Sequence, residues 1–374
     1  MNFKKNIQKI GPRKIIILLT VLVDVLGIGI VIPILPFYVE SFGVSPFVLT
    51  LLFAVFSLFS FISAPMLGAL SDKIGRRPVL IISIASTALG WFVFAWAQSV
   101  WMLFLGRIID GMAAGNLPVA ESYLVDIAKD DKERTKNLGL VGAVFGAGFV
   151  VGPAIGAALS TFSNVLPFYV VGTLAFLNMI GAIIFLPETN ANKNKNKKVS
   201  INPLRPIWNA IKIKKLHSRF MAWFLYGVAI AGMQAVFALY LMDEFGLNAQ
   251  STGIIFTVMG IMMILNQTVL LNKFWLKKFK ESDLEIWLFL LFALGFCFIG
   301  TPILGALFIG LLINVLARSV LRVVVSSRVA GIAGAEKRGE IMGIMASILA
   351  LSNIGGPVIA GILYQVKSSL PFWM

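Results

Sequence analysis

From Phe47 to Leu67 the chain carries no charged residue, and the same is true from Val79 to Ala97. Few structures accept such a run. A membrane-crossing helix needs about 20 mainly apolar residues, and in lipid only helices and closed barrels satisfy every backbone N–H and C=O. The runs here are helix-length and continuous, not the alternating segments of about ten residues from which barrels are built. Hydropathy marks such spans at 15–36, 47–67, 79–97, 100–125, 138–159, 166–186, 220–242, 250–272, 284–301, 303–326 and 341–364. That makes eleven, and the chain is 58% apolar with a mean hydropathy of +0.90. The expected fold class is an all-α membrane protein.

A formal charge of +15 would suggest nucleic acid in a soluble protein. The positions of the charges exclude that reading. Lys4, Lys5, Lys9, Arg13 and Lys14 precede the first span, Lys73, Arg76 and Arg77 follow the second, and Lys129, Lys132, Arg134 and Lys136 follow the fourth. Lys193 to Arg219 holds nine basic residues after the sixth, and Lys273, Lys277, Lys278 and Lys280 follow the eighth. Arg328, Lys337 and Arg338 follow the tenth, whereas Glu40, Asp243 and Glu244 lie in the intervening loops. Positive charge gathers on the cytoplasmic side of membrane proteins, so the N-terminus is expected in the cytoplasm and the visible C-terminus outside. The first span lacks a cleavage pattern and reads as an uncleaved helix. Cys297 is the single cysteine and His217, in a basic loop, the single histidine, so no disulfide framework or metal cluster is expected. No phosphate-binding glycine loop appears, which removes ATP as the energy source.

The halves repeat. Glu40-Ser41-Phe42-Gly43 corresponds to Asp243-Glu244-Phe245-Gly246, and Gly139, Gly152 and Pro153 to Gly343, Gly356 and Pro357. Similar offsets at distant places indicate a duplicated six-helix unit, the usual way transporters build a site between two moving halves. The expected domains are an N-terminal bundle over 1–190, a cytoplasmic linker over 191–218 and a C-terminal bundle of five spans over 219–374. The linker opens with Lys193–Lys198 and has an amphipathic stretch near Ile207–Leu216. A duplicate of six would place a twelfth helix where Leu370–Met374 stand.

Charges inside these spans are the candidate functional residues, because each costs a few kcal/mol unless it faces protein or water. Asp24 lies mid-helix in Leu18–Pro36. Its two readings are a group that takes up a proton or a cationic solute, and a structural carboxylate paired to a neighbouring helix. Arg107 and Asp110, three apart, share one helix face, as a solute- or proton-handling pair or as a neutralised pair that fixes packing. Gly111, Gly115 and Asn116 follow and allow close helix approach. Glu121 is read as a packing or gate carboxylate. Gln234, Asn266, Gln267 and Asn314 are polar within later spans, lining a cavity or bonding between helices. Arg318 and Arg322 read as snorkelling, or as anion contacts. In the fifth span Gly139, Gly148, Gly152, Pro153, Gly156 and Ala157 place small residues on one face, with Pro153 bending the helix.

Gly68-Ala69-Leu70-Ser71-Asp72-Lys73-Ile74-Gly75-Arg76-Arg77 reads as a tight charged cytoplasmic turn. It resembles the loop G-x-L-[AS]-D-[RK]-x-G-R-[RK] of the major facilitator superfamily. Ordinary positive-inside charge would explain Lys73, Arg76 and Arg77 but not the placing of Gly68, Asp72 and Gly75. Val23–Pro36, the R-x-x-x-G pattern from Arg107 to Gly111, the fifth-span pattern G-x8-G-x3-G-P-x2-G-[GA] and Leu186-Pro187-Glu188-Thr189 extend the resemblance to the drug:proton antiporter branch, near the tetracycline-efflux type. The resemblance implies two pseudo-symmetric six-helix bundles, with the twelfth helix not visible. It implies that Arg107 serves proton coupling and that Gly148, Gly152, Pro153 and Gly156 mark an antiporter helix. It implies further that Gly68, Asp72, Gly75, Arg76 and Arg77 form a cytoplasmic gate. There Asp72 is expected to face a neighbouring helix N-terminus and Arg76 to pair with Asp126.

The expected protein is therefore not an enzyme. It is a monomeric, multi-pass plasma or inner membrane antiporter, without cofactor, driven by the proton gradient. It would export lipophilic, often cationic drugs by alternating access and so give multidrug resistance. A sugar or metabolite uniporter or symporter is the alternative within the class, and a truncated non-transporting membrane protein or scaffold the alternative outside it.

Overall fold

The computed structural model describes residues 11–190, 204–213 and 216–373. Lys4, Lys5 and Lys9 and the Lys193–Lys198 part of the linker lie outside the described residues. The described residues form helices and turns only. In order they are α1 (Pro12–Val39), α2 (Pro46–Ile74), α3 (Arg76–Ala95), α4 (Val100–Ala113), α5 (Asn116–Asp126), α6 (Asp131–Ser160) and α7 (Leu166–Phe185). A short α8 (Arg205–Lys212) precedes α9 (His217–Phe245), α10 (Ala249–Leu265), α11 (Glu281–Ile299) and α12 (Leu304–Val366).

Local chemistry sets the ends. Asp130 caps α6 by accepting from Glu133 N at 2.6 Å, while Glu133 accepts from Lys129 N at 3.0 Å, a near-reciprocal capping box. Asn248 caps α10 through Ser251 N at 2.9 Å. The repeat noted in the sequence is a repeat of backbone. Gly43 and Gly246 both take left-handed conformations, φ 63° and 61°, where a side chain would be strained.

Contacts divide the chain into two units. One comprises Met1–Val31 and Val55–Asn202, the other Ile32–Ala54 and Pro203–Met374. In the second, the end of α12 reaches Thr50 because Gly361 has no side chain there.

Four expectations about the helices are corrected. The stretch 68–77 is not a loop: α2 runs on to Ile74 and α3 starts at Arg76, so Gly75 alone breaks the helix, at φ 115°. The fourth span is not one helix. It breaks at Ala114–Gly115, where Gly115 lies so close to Leu67 that a Cβ would meet its Cδ1 at 2.5 Å. The eighth span leaves α geometry at Asn266 and continues as a π-helix to Trp275. Helical bonding also continues from 304 to 366, across the loop expected near 327–340, which has no proline to stop it. The chain nonetheless turns back within this range, so the two spans expected on either side stand as separate limbs. Trp223 Nε1 donates to Met345 O at 3.1 Å and Tyr226, stacked on Trp223, donates to Arg318 O at 3.3 Å. A straight helix would hold those two carbonyls about 40 Å apart. Its limbs Leu304–Val329 and Glu340–Val366 are each membrane length.

The helices meet through small residues, as expected where lipid removes the hydrophobic drive to associate. In the first unit a Cβ on Gly152 would stand 3.0 Å from Gly29 Cα, and one on Gly29 3.1 Å from Gly148 O. In the second a Cβ on Gly356 would stand 2.7 Å from Val228 O and 3.0 Å from Gly232 N. The duplicated sequence therefore repeats a helix crossing.

Candidate functional site

The first unit gathers polar side chains from four helices in an apolar bundle. Asn116, at the start of α5, donates from Nδ2 to Asp24 Oδ1 on α1 and to Thr87 Oγ1 on α3, both at 3.4 Å. On α4, Arg107 Nη1 lies 3.3 Å from Asp110 Oδ2. Asp24 and Asp110 are near enough to act on each other electrostatically. Arg107 is 6% exposed, Asp110 8% and Asn116 1%. The break before α5 brings Asn116 to this cluster.

Arg107 is held by rings more than by hydrogen bonds. Its guanidinium carbon stands 4.9 Å from the Trp91 centroid, 5.0 Å from Phe94 and 5.3 Å from Phe56. Phe168 stacks on Trp91 at 6.1 Å and meets Phe94 edge-on at 5.2 Å, locking the cage. Desolvated cation–π contacts are worth about 2 kcal/mol or more. Arg107 Nε and Nη2 and Asn116 Oδ1 are buried without hydrogen-bond partners among the described residues. Such atoms cost about 1–3 kcal/mol each, so the cluster is set to accept a further polar group.

A second cluster surrounds Gly75. Arg76 pairs with Asp72 Oδ1 at 2.6 Å and with Asp126 Oδ2 at 3.2 Å, and donates to Ser71 Oγ at 2.6 Å. Thr189 Oγ1 donates to the same Asp126 oxygen at 3.2 Å. Arg77 Nη2 donates to Ile183 O at 2.8 Å. Glu188 places a carboxylate on the N-terminus of α3: its Oε1 accepts from Arg76 N at 2.9 Å and from Thr189 N and Asn190 N at 3.0 Å. Gly68 has open space where its Cβ would be. Glu121 is half-buried on α5.

The glycines of α6 serve the α1 contact. Gly148 faces Val25, Gly152 faces Gly29 and Leu26 O, Pro153 touches Gly29, and Gly156 is buried.

The second-unit residues separate. Asn266 Nδ2 donates to Leu316 O at 2.9 Å and to Ser319 Oγ at 2.5 Å, and its Oδ1 accepts from Trp275 Nε1 at 2.9 Å. At about 3.6 residues per turn, positions nine apart face opposite ways; the wider π turns align them. Gln267 Nε2 donates to Ser319 O at 3.2 Å. Asn314 is 0% exposed, with neither amide atom partnered among the described residues. Gln234 is half-buried on α9 and takes no part in these bonds. Arg318 does not simply snorkel: it is half-buried with Nη2 4.0 Å from Met263 Sδ, whereas Arg322 is exposed.

Sequence reasoning missed Thr87, the rings around Arg107, Ser319 and the role of Glu188. Of these only Glu188 carried a signal, in Leu186–Thr189.

Nine described helices are long and apolar enough to cross a membrane, and with the buried charges they define a multi-pass helical membrane protein with a polar interior cluster. The family model described as Major Facilitator Superfamily matches residues 17–281, and the chain belongs to that superfamily. The chain is 28% identical to the quinolone resistance protein NorA of Staphylococcus aureus (strain MSSA476), over 93% of this chain and 89% of that protein. It is also 28% identical to the class C tetracycline resistance protein of Escherichia coli, over 97% and 92%. Among solved structures, the nucleoside transporter NupG superposes with a TM-score of 0.79 at 14% identity, covering 96% of this chain and 93% of that one. The human organic anion transporter MFSD10 (TETRAN) gives 0.68 at 23%, covering 97% and 96%. The protein is a membrane transporter of this superfamily and not an enzyme.

Proposed function

We propose that the protein is a proton-coupled antiporter that exports lipophilic, often cationic drugs by alternating access. The carrying observation is the buried cluster in which Asn116 joins Asp24 to Thr87 beside the caged Arg107–Asp110 pair. The buried guanidinium of Arg107 pairs with Asp110, while the Asp24 carboxylate of the same cluster accepts from the Asn116 amide. A proton or a cationic solute on Asp24 removes the excess negative charge, and the two compete for that role. Such competition is what antiport requires. The resistance relatives, 28% identical along nearly the whole chain, support the choice of drugs as solutes. In this reading the proton gradient supplies the energy without a cofactor. The transporter works as a monomer in the plasma or inner membrane, with the N-terminus and the Gly75 cluster on the cytoplasmic side. The cluster of Asp72, Arg76, Arg77 and Asp126 then serves as the gate.

Proton movement in proteoliposomes on adding ethidium tests this. Wild type should move protons in response, and Asp24→Asn should not. Ethidium flux that continues without a proton gradient in both proteins would refute the coupling.

A further inference from the structure

The arginines of α12 divide into two kinds. Arg328 pairs with the buried Glu285. Arg318 and Arg322, one turn apart on one helix face, make no ion pair among the described residues. The one polar contact of Arg318 there is Nη2 at 4.0 Å from Met263 Sδ. The groups that act on it electrostatically are Tyr226 and Arg322, and no carboxylate is among them. No guanidinium nitrogen of either arginine is both buried and unpartnered, so their unused donors open on accessible space. Within the span Leu304–Val329, Arg318 lies about 21 Å from one end and about 16 Å from the other. That is near the middle of a hydrocarbon layer about 30 Å thick, beyond the reach of lipid headgroups. The backbone around it is fixed. Tyr226 donates to Arg318 O at 3.3 Å, with Trp223 stacked on its ring at 5.1 Å, and Asn266 and Gln267 both donate to Ser319.

We propose that Arg318 and Arg322 form a solute site that takes the carboxylate of an amphiphilic anion or zwitterion. Charge at this depth is accommodated where it meets an opposite charge or lines a solute path, and no described residue supplies the opposite charge. A planar guanidinium matches a carboxylate through two parallel N–H···O bonds, a geometry that a spherical halide cannot use. Met263 beside Arg318 offers a flexible apolar wall to the body that carries the carboxylate. The site lies outside the Asp24–Arg107 cluster and extends the solutes beyond lipophilic cations. It does not depend on proton coupling or on the direction of transport.

The test is equilibrium binding of radiolabelled naphthoate to the purified full chain in dodecyl maltoside. Competitors are unlabelled naphthoate, its neutral isostere naphthamide, sodium chloride and sodium phosphate. Wild type should bind naphthoate saturably, and naphthamide should compete at least about tenfold less well, the worth of a charge-assisted bond. Arg318→Gln should weaken binding about tenfold, and Arg318→Gln combined with Arg322→Gln should abolish it. Melting midpoints separate loss of the site from loss of the fold. Arg318 has no counter-ion, so Arg318→Gln should not lower the midpoint, whereas Arg328→Gln strands Glu285 and should. Saturating naphthoate should raise the wild-type midpoint and leave that of the double variant unchanged. Absence of saturable binding, equal competition by naphthamide, or chloride or phosphate competing as well as naphthoate overturns the proposal. So does unchanged binding in the double variant, or a lowered midpoint in Arg318→Gln, which a packing role would produce. No proton gradient and no ethidium enter the measurement, so this proposal and the antiport reading fail separately.

Discussion

Arg76 donates its backbone N–H to Glu188 Oε1 at 2.9 Å, across 112 residues of sequence. That bond seats a carboxylate on the positive first turn of α3, where helix N-termini favour negative charge. It also explains Gly75. A Cβ there would collide with the Glu188 carboxylate, and φ 115° is strained for any other residue. The helix end, the glycine and the Glu188 motif are one device.

Glu188→Ala should therefore lower the detergent melting midpoint. The loss corresponds to about 2 kcal/mol, as three N–H groups lose one charged acceptor. Glu188→Gln, which keeps an oxygen in place, should lose about half as much. Gly75→Ala should cost about as much as Glu188→Ala, through strain and collision together. Equal midpoints for all three variants and wild type would contradict the arrangement.

The two glycine crossings predict a paired contrast. Gly152→Ala and Gly356→Ala place a methyl group against backbone that cannot yield, and both should sharply reduce folded protein, as core overpacking costs about 1–3 kcal/mol. Gly139→Ala and Gly343→Ala, the other matched pair of the repeat, meet nothing within 4 Å and should be neutral. Size-exclusion profiles of the four variants measure this.

Asn266→Ala leaves the Trp275 indole N–H and Ser319 without their partner. The indole is half-buried, so the lost bond costs about 1 kcal/mol. The melting midpoint should fall, and Trp275 fluorescence should change because the indole loses its acceptor. Asn266→Gln should recover little, since its longer side chain displaces the amide from Ser319.

Arg107→Lys keeps the charge but discards the planar guanidinium that lies on Trp91 and Phe94, an exchange that is not conservative at a stacked site. Ethidium-driven proton flux should fall at least about tenfold, equivalent to about 1.4 kcal/mol, with the protein still folded. Arg107→Ala strands Asp110 as a buried unpaired charge, about 3–5 kcal/mol, and should fail to accumulate.

The repeat at Gly43 and Gly246 was legible because a left-handed helix end admits little but glycine. That Asp24, Arg107 and Asp110 would meet polar partners inside the bundle was legible because charge in hydrocarbon is costly. Thr87 and the rings around Arg107 were not legible. In a helix apolar all round, periodicity does not mark the inward face. The helix through Gly68–Ile74 was misread because charge and glycine imitate a loop. The π stretch after Leu265 has no composition of its own; it forms where Asn266 and Trp275 meet.

The sequence by itself determined the class of protein and the apolar character of its helices, which follow from the price of polar groups in lipid, and the duplication, which its matched glycines carry. Only the tertiary structure decided the partners. It joined Glu188 to Arg76, Asn116 to Asp24 and Thr87, and Gly152 to Gly29. Those contacts depend on where helices break and how closely backbones approach, which separations along the chain do not encode.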